Sequence, residues 1–265
     1  MFLANKSTDR EEYQNIQSNI GAMPKEFIKG YFNSPHYHER AQLVYGISGI
    51  MEVYVNEQVW ILSPKTALFI PGNTLHSMQA ITDISLRTLY IKKEISNDII
   101  KGNVKLLKVG NFLKELIARA TLIPINYDMN SVDGKIMDII IHELKIAEEI
   151  RYSIPTPTAE RLIKIENMIT NNHLLLKEKM GYWSDYFYMS SKTLNRLILK
   201  DLGITFIVWK QYLAVKISLI QMSENKTLTN IAYDLGYQSP SNFCRMFKNI
   251  TGQNPGVFNQ ALAEN

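Results

Sequence analysis

The sequence predicts an α+β chain with an N-terminal β-barrel, a helical segment after it, and an all-α C-terminal domain in which a long helix joins two helix-turn-helix units. Three observations support this prediction: short strands separated by turn residues over about 31–91, helical periodicity after them, and a proline-rich break at 153–158. We therefore divide the 265 residues into a first domain at 1–152, a linker at 153–158 and a second domain at 159–265.

Five short strands account for the barrel prediction. Runs rich in Val, Ile, Leu and Tyr lie at 41–47, 50–55, 59–62, 67–70 and 85–91. Turn residues such as Ser48-Gly49, Ser63-Pro64 and Pro71-Gly72 separate these runs. Many short strands with a turn about every 8–12 residues are typical of an antiparallel sandwich or barrel.

Two helices are predicted after the barrel, because apolar residues recur there at helical spacing. The two apolar stripes are Phe112, Leu113, Leu116 and Ile117, and then Ile136, Ile139, Ile140 and Leu144. Such helices either cover the barrel or pair with a second copy of the chain, and the sequence leaves both alternatives open. Pro155 and Pro157 then prevent a helix and predict an extended linker.

Composition excludes several classes of protein. The single cysteine, Cys244, rules out an internal disulfide framework and favours a reducing compartment. No apolar run reaches the roughly 18 residues of a membrane span, and the first residues lack the apolar core of a secretion signal. We therefore expect a cytoplasmic protein with no membrane partner.

Net positive charge is confined to the C-terminal domain. The chain carries +4 overall, and residues from 159 onward hold 12 Lys and Arg against 8 Asp and Glu. The first 158 residues are therefore neutral. An excess of this size is a mild indication of nucleic-acid binding and is also compatible with an ordinary protein surface.

The segment 227–258 carries the pattern of a helix-turn-helix unit. Thr227 can cap a first helix whose buried face is Leu228, Ile231, Ala232 and Leu235. Gly236 ends this helix, and Ser239 followed by Pro240 begins the next one. Phe243, Met246 and Phe247 form the buried face of the second helix. Two helices joined by a short turn containing glycine are typical of this motif.

The opposite face of the second helix is polar. Ser241, Asn242 and Arg245 lie there, and Asn and Arg can read adenine and guanine in the major groove. We expect Lys248 to contact phosphate or solvent. The alternative is a solvated polar face on a packed helix, and the complete pattern of caps, glycine and core spacing argues against it.

This stretch resembles the AraC family of transcription regulators. The matching residues are Ile231-Ala232, Leu235-Gly236-Tyr237, Ser239-Pro240-Ser241, Phe243, Phe247-Lys248, Gly252 and Pro255. The resemblance implies a regulator that binds promoter DNA and needs no enzymatic activity. It also implies a second helix-turn-helix unit upstream, with a long helix between the two.

The upstream sequence supplies both implied elements. Phe206, Trp209, Leu213, Ile217 and Ile220 predict a long amphipathic helix. Helices predicted at 180–187 and 192–200 form the earlier unit, with Leu194, Leu197 and Ile198 facing inward. Lys192, Asn195 and Arg196 match the positions that contact DNA in the family. Tyr188 replaces the glycine often found in this turn, so we expect a distorted turn.

Three of the five histidines cluster near the barrel strands. His36 and His38 are two residues apart, which would place them on one face of a strand, and His76 follows Pro71-Gly72. This pattern resembles the cupin fold, whose first motif is His-x-His followed by an acid and whose second motif has Pro, Gly and His. Here Gln42 replaces the acid, and the second motif is one residue longer.

The resemblance leaves three interpretations of the histidines open. The cluster lines a pocket for a small-molecule effector, it holds a metal, or it has no ligand role. We favour effector binding by His36, His38, Gln42 and His76, with no cofactor, because neutral Gln42 is a weak metal ligand. His36, His38 and His76 are the candidate metal ligands in the second interpretation.

The leading hypothesis is therefore a homodimeric DNA-binding transcription regulator whose cupin-like barrel senses a small molecule and whose middle helices form the dimer. The alternative is a cupin-type metalloenzyme, a dioxygenase or isomerase, with a helical partner domain. Two recognition helices argue against the alternative, because an enzyme has no need of them.

Overall fold

The computed structural model describes residues 6–100, 102–150 and 152–263, which form two compact units. The barrel unit holds the chain up to Asn56 and again from Trp60. The helical unit holds Glu57–Val59 and the chain from Tyr152 onward. Each unit is described by itself below.

Antiparallel strands in two sheets build the barrel unit. Their bounds are β1 Ile20–Phe27, β2 Phe32–His36, β3 Ala41–Ser48, β4 Met51–Val55, β5 Gln58–Leu62, β6 Thr66–Ile70, β7 His76–Ala80, β8 Ile84–Ile91, β9 Lys105–Lys108 and β10 Glu149–Ile150. One sheet has the order β1-β8-β3-β6-β9-β10, and the other contains β5-β4-β7-β2. The β-rich N-terminal fold predicted from the sequence is confirmed, and each of the five predicted strands lies within one residue of its predicted bounds.

Two of the strands that were not predicted, β1 and β2, each contain a proline. Pro24 lies in β1 and Pro35 lies in β2. Both are edge strands of their sheets, where the missing N–H of proline leaves no ladder hydrogen bond unmade. Edge position therefore explains why these strands form despite their sequence.

Helices cover the first sheet. The helices of the barrel unit are α1 Lys93–Ile99, α2 Asn111–Ala120 and α3 Val132–Ile146. Leu113 and Ile117 of α2 and Ile140 and Leu144 of α3 share a buried core with the strands. The predicted stripes were wrong at Phe112 and Ile139, which are exposed. The buried faces are centred instead on residues such as Ala120, Met137 and Ile141.

The helical unit contains seven α-helices among its described residues. They are α4 Glu160–Asn171, α5 Met180–Tyr186, α6 Ser191–Leu202, α7 Phe206–Ser223, α8 Leu228–Asp234, α9 Pro240–Thr251 and α10 Pro255–Ala263, with a 3-10 turn at His173–Lys177. Side-chain oxygens cap four of these helices: Ser190 caps α6, Thr205 caps α7, Thr227 caps α8 and Ser239 caps α9. Each cap accepts an N–H that the first helical turn would otherwise leave unbonded.

The helix α7 is more deeply buried than predicted. We expected one apolar stripe, but Ala214, Val215, Ser218 and Leu219 are buried in addition to that stripe. The reason is that α4, α6, α8, α9 and α10 all pack on α7. A helix surrounded in this way is apolar on most sides.

The predicted linker is structured at both ends. Ile154–Pro155 forms the strand β11, which pairs with Val59 and Gln58 in the helical unit. The carboxylate of Asp201, in the last turn of α6, accepts hydrogen bonds from the Thr158 N–H (2.8 Å), the Thr158 hydroxyl and the Ala159 N–H (3.2 Å). The segment is extended, as its prolines require, and its end is fixed to α6.

Among the described residues, no single helix is both long and apolar enough to cross a membrane. The pair α6 and α7, bent by 61° at the break between them, meets the criterion of length and composition only when the two are taken together.

Candidate DNA-binding surface and histidine site

The helices α8 and α9 form the helix-turn-helix unit predicted at 227–258. Gly236 in the turn has a φ of +87°, which an L side chain rarely adopts. A Cβ atom there would also lie 2.5 Å from Cγ of Lys177, whose methylene groups pack on the turn. Both the backbone conformation and this close contact therefore require glycine at position 236.

The polar face of α9 is exposed as predicted. Phe243, Met246 and Phe247 are buried, whereas Ser241, Arg245 and Lys248 are exposed and Asn242 is half-buried. Nη2 of Arg245 donates a hydrogen bond of 2.9 Å to Oδ1 of Asn242. The two side chains that could read bases are therefore already held next to each other.

The helices α5 and α6 form the earlier unit. Leu194 and Ile198 are buried, Leu197 is only half-buried, and Lys192, Asn195 and Arg196 are exposed on α6. Tyr188 in the turn has a φ of +51° and is 98% exposed. The cost of this conformation is about 1–2 kcal/mol. The turn nevertheless closes, because the Met189 N–H donates to the Ser184 carbonyl over 2.9 Å.

Three elements bring the histidines together in the barrel unit. His36 ends β2, His76 begins β7, and the two residues are paired in the ladder. His38 lies in the loop after β2 and not in the strand. The prediction that His36 and His38 share one face of a strand was therefore wrong. The ring centroids of His38 and His76 are nevertheless 5.2 Å apart, and those of His36 and His76 are 4.3 Å apart. One ring nitrogen of each histidine lies within 4.8 Å of the others.

Gly72 allows the two loops of this site to approach each other. A Cβ atom at Gly72 would lie 2.0 Å from the carbonyl oxygen of Glu39. The neighbouring Asn73 N–H donates a 2.7 Å hydrogen bond to the His38 carbonyl. The Pro-Gly turn therefore fixes the backbone that carries His38.

Backbone carbonyls set the tautomer of all three rings. Nδ1 of His36 lies 2.8 Å from the Ser34 oxygen, Nδ1 of His38 lies 2.6 Å from the Arg40 oxygen, and Nδ1 of His76 lies 2.8 Å from the Thr74 oxygen. A carbonyl oxygen can only accept, so each Nδ1 carries a proton. Burial lowers the pKa of all three imidazoles, that of His76 to about 4. The rings are therefore neutral at pH 7, and each Nε2 presents a lone pair.

The most unusual atom of the site is Nε2 of His76, which carries a lone pair. Nε2 of this ring is buried and has no hydrogen-bond partner in the described part of the protein. A buried polar atom without a partner costs about 1–3 kcal/mol. At His38, Oε1 of Gln42 lies 3.2 Å from Nε2. With the proton on Nδ1, the opposite amide orientation, in which the NH₂ group faces this lone pair, is the one that makes a hydrogen bond.

A cavity of about 430 Å³ opens beside these rings. His36 and Gln42 line it together with Asn33, Tyr90 and Arg10. His38 and His76 are buried and contact the ring of His36. The sequence did not single out Tyr90, although it pairs with Gln42 across the β3–β8 ladder and its ring meets His38 edge-on at 5.3 Å.

Two kinds of partner fit a cluster in which one ring nitrogen of each histidine lies within 4.8 Å of the others. One is a ligand whose hydroxyl or amino group donates hydrogen bonds, and the other is a divalent transition metal, for which neutral imidazole is a common ligand. Among the described residues, His36, His38 and His76 are the group that could hold a metal ion. No carboxylate of the described chain belongs to this group, and Gln42 stands where the cupin motif has an acid.

Comparison with known proteins agrees with both units. Residues 183–261 match a helix-turn-helix domain family, and residues 26–92 match the cupin domain family. The chain is 27% identical to the HTH-type transcriptional regulator NimR of Escherichia coli (strain K12), over 84% of this chain and 81% of that protein. It is 22% identical to the probable transcriptional regulator LumQ of Photobacterium leiognathi, over 83% of this chain and 89% of that protein.

A solved structure also aligns with the chain. ToxT from Vibrio cholerae covers 92% of this chain and 99% of its own, with 12% identity and a TM-score of 0.38. The curated relatives are regulators, so the comparisons give no support to the metalloenzyme alternative. The helix-turn-helix domain, the cupin domain and the similarity to regulators over most of the chain together support a DNA-binding transcription regulator with a cupin-like domain, as the resemblance to the AraC family implied.

Proposed function

We propose that the barrel unit binds a small-molecule effector at the histidine site and thereby controls promoter binding by a cytoplasmic homodimer. In this proposal residues 1–152 form the effector and dimerisation domain, 153–158 form the linker, and 159–265 form the DNA-binding domain. The observation that carries effector binding is the cavity of about 430 Å³ lined by His36 and Gln42, beside which the buried Nε2 of His76 has no partner of its own in the described chain. The matching effector is a compact polar molecule with a hydroxyl or amino group.

The two recognition helices are α6 and α9. Lys192, Asn195 and Arg196 are the contacts that we propose for α6, and Ser241, Asn242, Arg245 and Lys248 are those for α9. Each set is exposed or half-buried on the side opposite the core. Arg and Asn suit base edges, whereas Lys suits phosphate. Two such helices on α7 would occupy neighbouring major-groove segments.

Arg245→Ala is expected to weaken binding to the cognate site by about 1–3 kcal/mol and to relax preference at one base pair. The reason is that guanidinium contacts to a base edge are sequence-specific. Fluorescence anisotropy with a DNA site selected from a random pool measures both effects. Lys248→Ala is the matched variant, for which we expect equal weakening on all sequences and a salt slope smaller by about one unit. Unchanged affinity and preference in Arg245→Ala would contradict this orientation of α9.

Loss of His38 or His76 is expected to abolish the response to effector. A thermal-shift screen of the intact protein identifies the effector, because binding to the folded state raises its melting temperature. His76→Ala and His38→Ala should then show no shift, while their DNA affinity without effector stays within a few-fold of the parent. His142→Ala, an exposed histidine on α3 outside the cavity wall, should respond normally.

Two results would overturn effector binding at the histidines. One is a full thermal shift in His76→Ala. The other is stoichiometric zinc or iron in the purified protein that is lost, together with folding, in His38→Ala, because that result would assign the cluster to a metal.

The proposed dimer face is a stripe on α3. Val132, Ile139 and Ile146 are seven residues apart and 73%, 41% and 77% exposed. A seven-residue spacing keeps apolar side chains on one face of a helix and is the pattern of a two-helix seam. Phe112 on α2 is a further exposed apolar side chain. A second copy of the chain would remove these side chains from water.

Ile139→Asp is expected to convert the dimer to a monomer, because it places a charge in this apolar stripe. Analytical ultracentrifugation measures the change, and DNA affinity should fall at least tenfold as the avidity of two linked domains is lost. Ile28→Asp, which changes an isoleucine that is exposed just after β1, is the control and should remain dimeric. A dimeric Ile139→Asp protein would place the interface elsewhere.

A further inference from the structure

The helical unit contains a cavity of its own, of about 570 Å³. Its wall comes from the chain around the 3-10 turn at His173–Lys177, from α6, from the N-terminal half of α7 and from the turn after α8. We propose that this cavity is a second ligand site, distinct from the histidine site, and that it binds a small anion with an apolar body, such as a hydrophobic carboxylate.

The size and the apolar wall fit the body of such a ligand. Ligand pockets commonly measure about 300–1,000 Å³ and are lined mainly by apolar side chains. Leu176, Met180, Phe206, Ala214 and Leu235 supply that lining here. Leu176, Phe206 and Leu235 are already almost fully buried, so these walls belong to the packed structure.

The charged groups of the wall are all cations. Lys177, Lys179 and Lys210 line the cavity, and no Asp or Glu does so among the described residues. Nζ of Lys210 donates a 2.6 Å hydrogen bond to the backbone carbonyl of Glu178, which holds this ammonium group in place. Burial lowers the pKa of Lys210, so an anion beside it would restore the stability of its charged form. The polar end of the ligand is therefore negative.

The position of the cavity links it to DNA binding. Asn195 of α6 lines one side, and Gly236 and Tyr237 of the turn before α9 line another. A ligand in the cavity would thus contact both helix-turn-helix units. Asn195 is also a proposed DNA contact, so a ligand that holds its side chain competes with DNA. We therefore expect the anion to lower DNA affinity.

Isothermal titration calorimetry on the full-length protein tests the site with two matched probes, 2-naphthoate and the neutral 2-naphthamide. The expected result is saturable binding of one naphthoate per chain, with naphthamide at least about tenfold weaker. Ile207→Glu places a negative charge in the cavity wall at a side chain that is 68% exposed, so the fold should tolerate it. It should weaken naphthoate binding about tenfold or more. Ile163→Glu, an exposed position on α4 outside the wall, should bind naphthoate as the parent does.

The same variants separate this site from the histidine site. His76→Ala should leave naphthoate binding unchanged, and saturating naphthoate should weaken DNA binding by the parent protein and by Ile163→Glu. Four results would overturn the proposal: no saturable binding of naphthoate, equal affinity for the amide, unchanged binding in Ile207→Glu, or loss of binding in His76→Ala. The last result would place the probe in the barrel.

Discussion

Arg40→Met will lower the free energy of unfolding of the barrel unit by about 3–5 kcal/mol. The Arg40 side chain is buried and donates hydrogen bonds to the carbonyls of Gln14 (3.1 Å), Ser18 (3.0 Å) and Asn19 (3.3 Å), and also to that of Ile16. Methionine keeps most of the volume but donates nothing, so these carbonyls lose a charged partner. The segment 14–19 should then detach from the barrel.

Chemical denaturation followed by circular dichroism measures this loss. Arg119→Met is the matched control, because Arg119 is half exposed and its ion pair with Asp133 lies at the surface. Surface pairs of this kind contribute about 0–1 kcal/mol. If Arg40→Met unfolds at the same denaturant concentration as Arg119→Met, the four carbonyl contacts do not stabilise the fold.

Trp209→Ala will destabilise the helical unit by about 3–5 kcal/mol and abolish DNA binding at 37 °C. The Trp209 side chain is fully buried in α7, the helix on which both helix-turn-helix units pack. Alanine leaves a cavity at the centre of the unit. Calorimetry of the intact protein and a gel-shift assay with the selected DNA site measure the two effects.

The variant Trp209→Phe distinguishes the contribution of packing to stability from that of any hydrogen bond of the indole. Nε1 of Trp209 has no hydrogen-bond partner in the described structure, so phenylalanine removes no hydrogen bond and fills much of the volume. We expect it to retain DNA binding and to lose clearly less stability than Trp209→Ala. Equal losses in the two variants would show that the indole contributes something other than packing.

Local signals made the helical unit predictable. The sequence shows directly that Ser239 and Pro240 can begin a helix and that Gly236 can form a turn before it. The structure places the start of α9 and the turn at these residues. Capping and glycine turns depend on a few neighbouring residues, so they do not need tertiary structure. The burial of α7 was not predictable in the same way, because it depends on how five other helices pack around it, among them α4 and α10, which are not its neighbours in sequence.

Long-range geometry explains what was missed in the histidine site. His38 reaches the other rings through a loop, and Gly72 permits the approach of that loop to the next one. Tyr90 lies at the site because it pairs with Gln42 in the sheet, and its strand β8 is far from β3 in sequence. The three histidines were identified from their residue type, but their tautomers follow from backbone carbonyls that a sequence does not place.

The hydrogen bonds of Asp201 have a mechanical consequence. They fasten the end of the segment 153–158 to the last turn of α6, so a displacement of Thr158 would be passed directly to that end of the helix. The helix is gripped at its C-terminal end, and Lys192 lies near its other end. A small tilt at Asp201 would therefore move the end that carries the proposed DNA contacts through a larger arc, as a lever does.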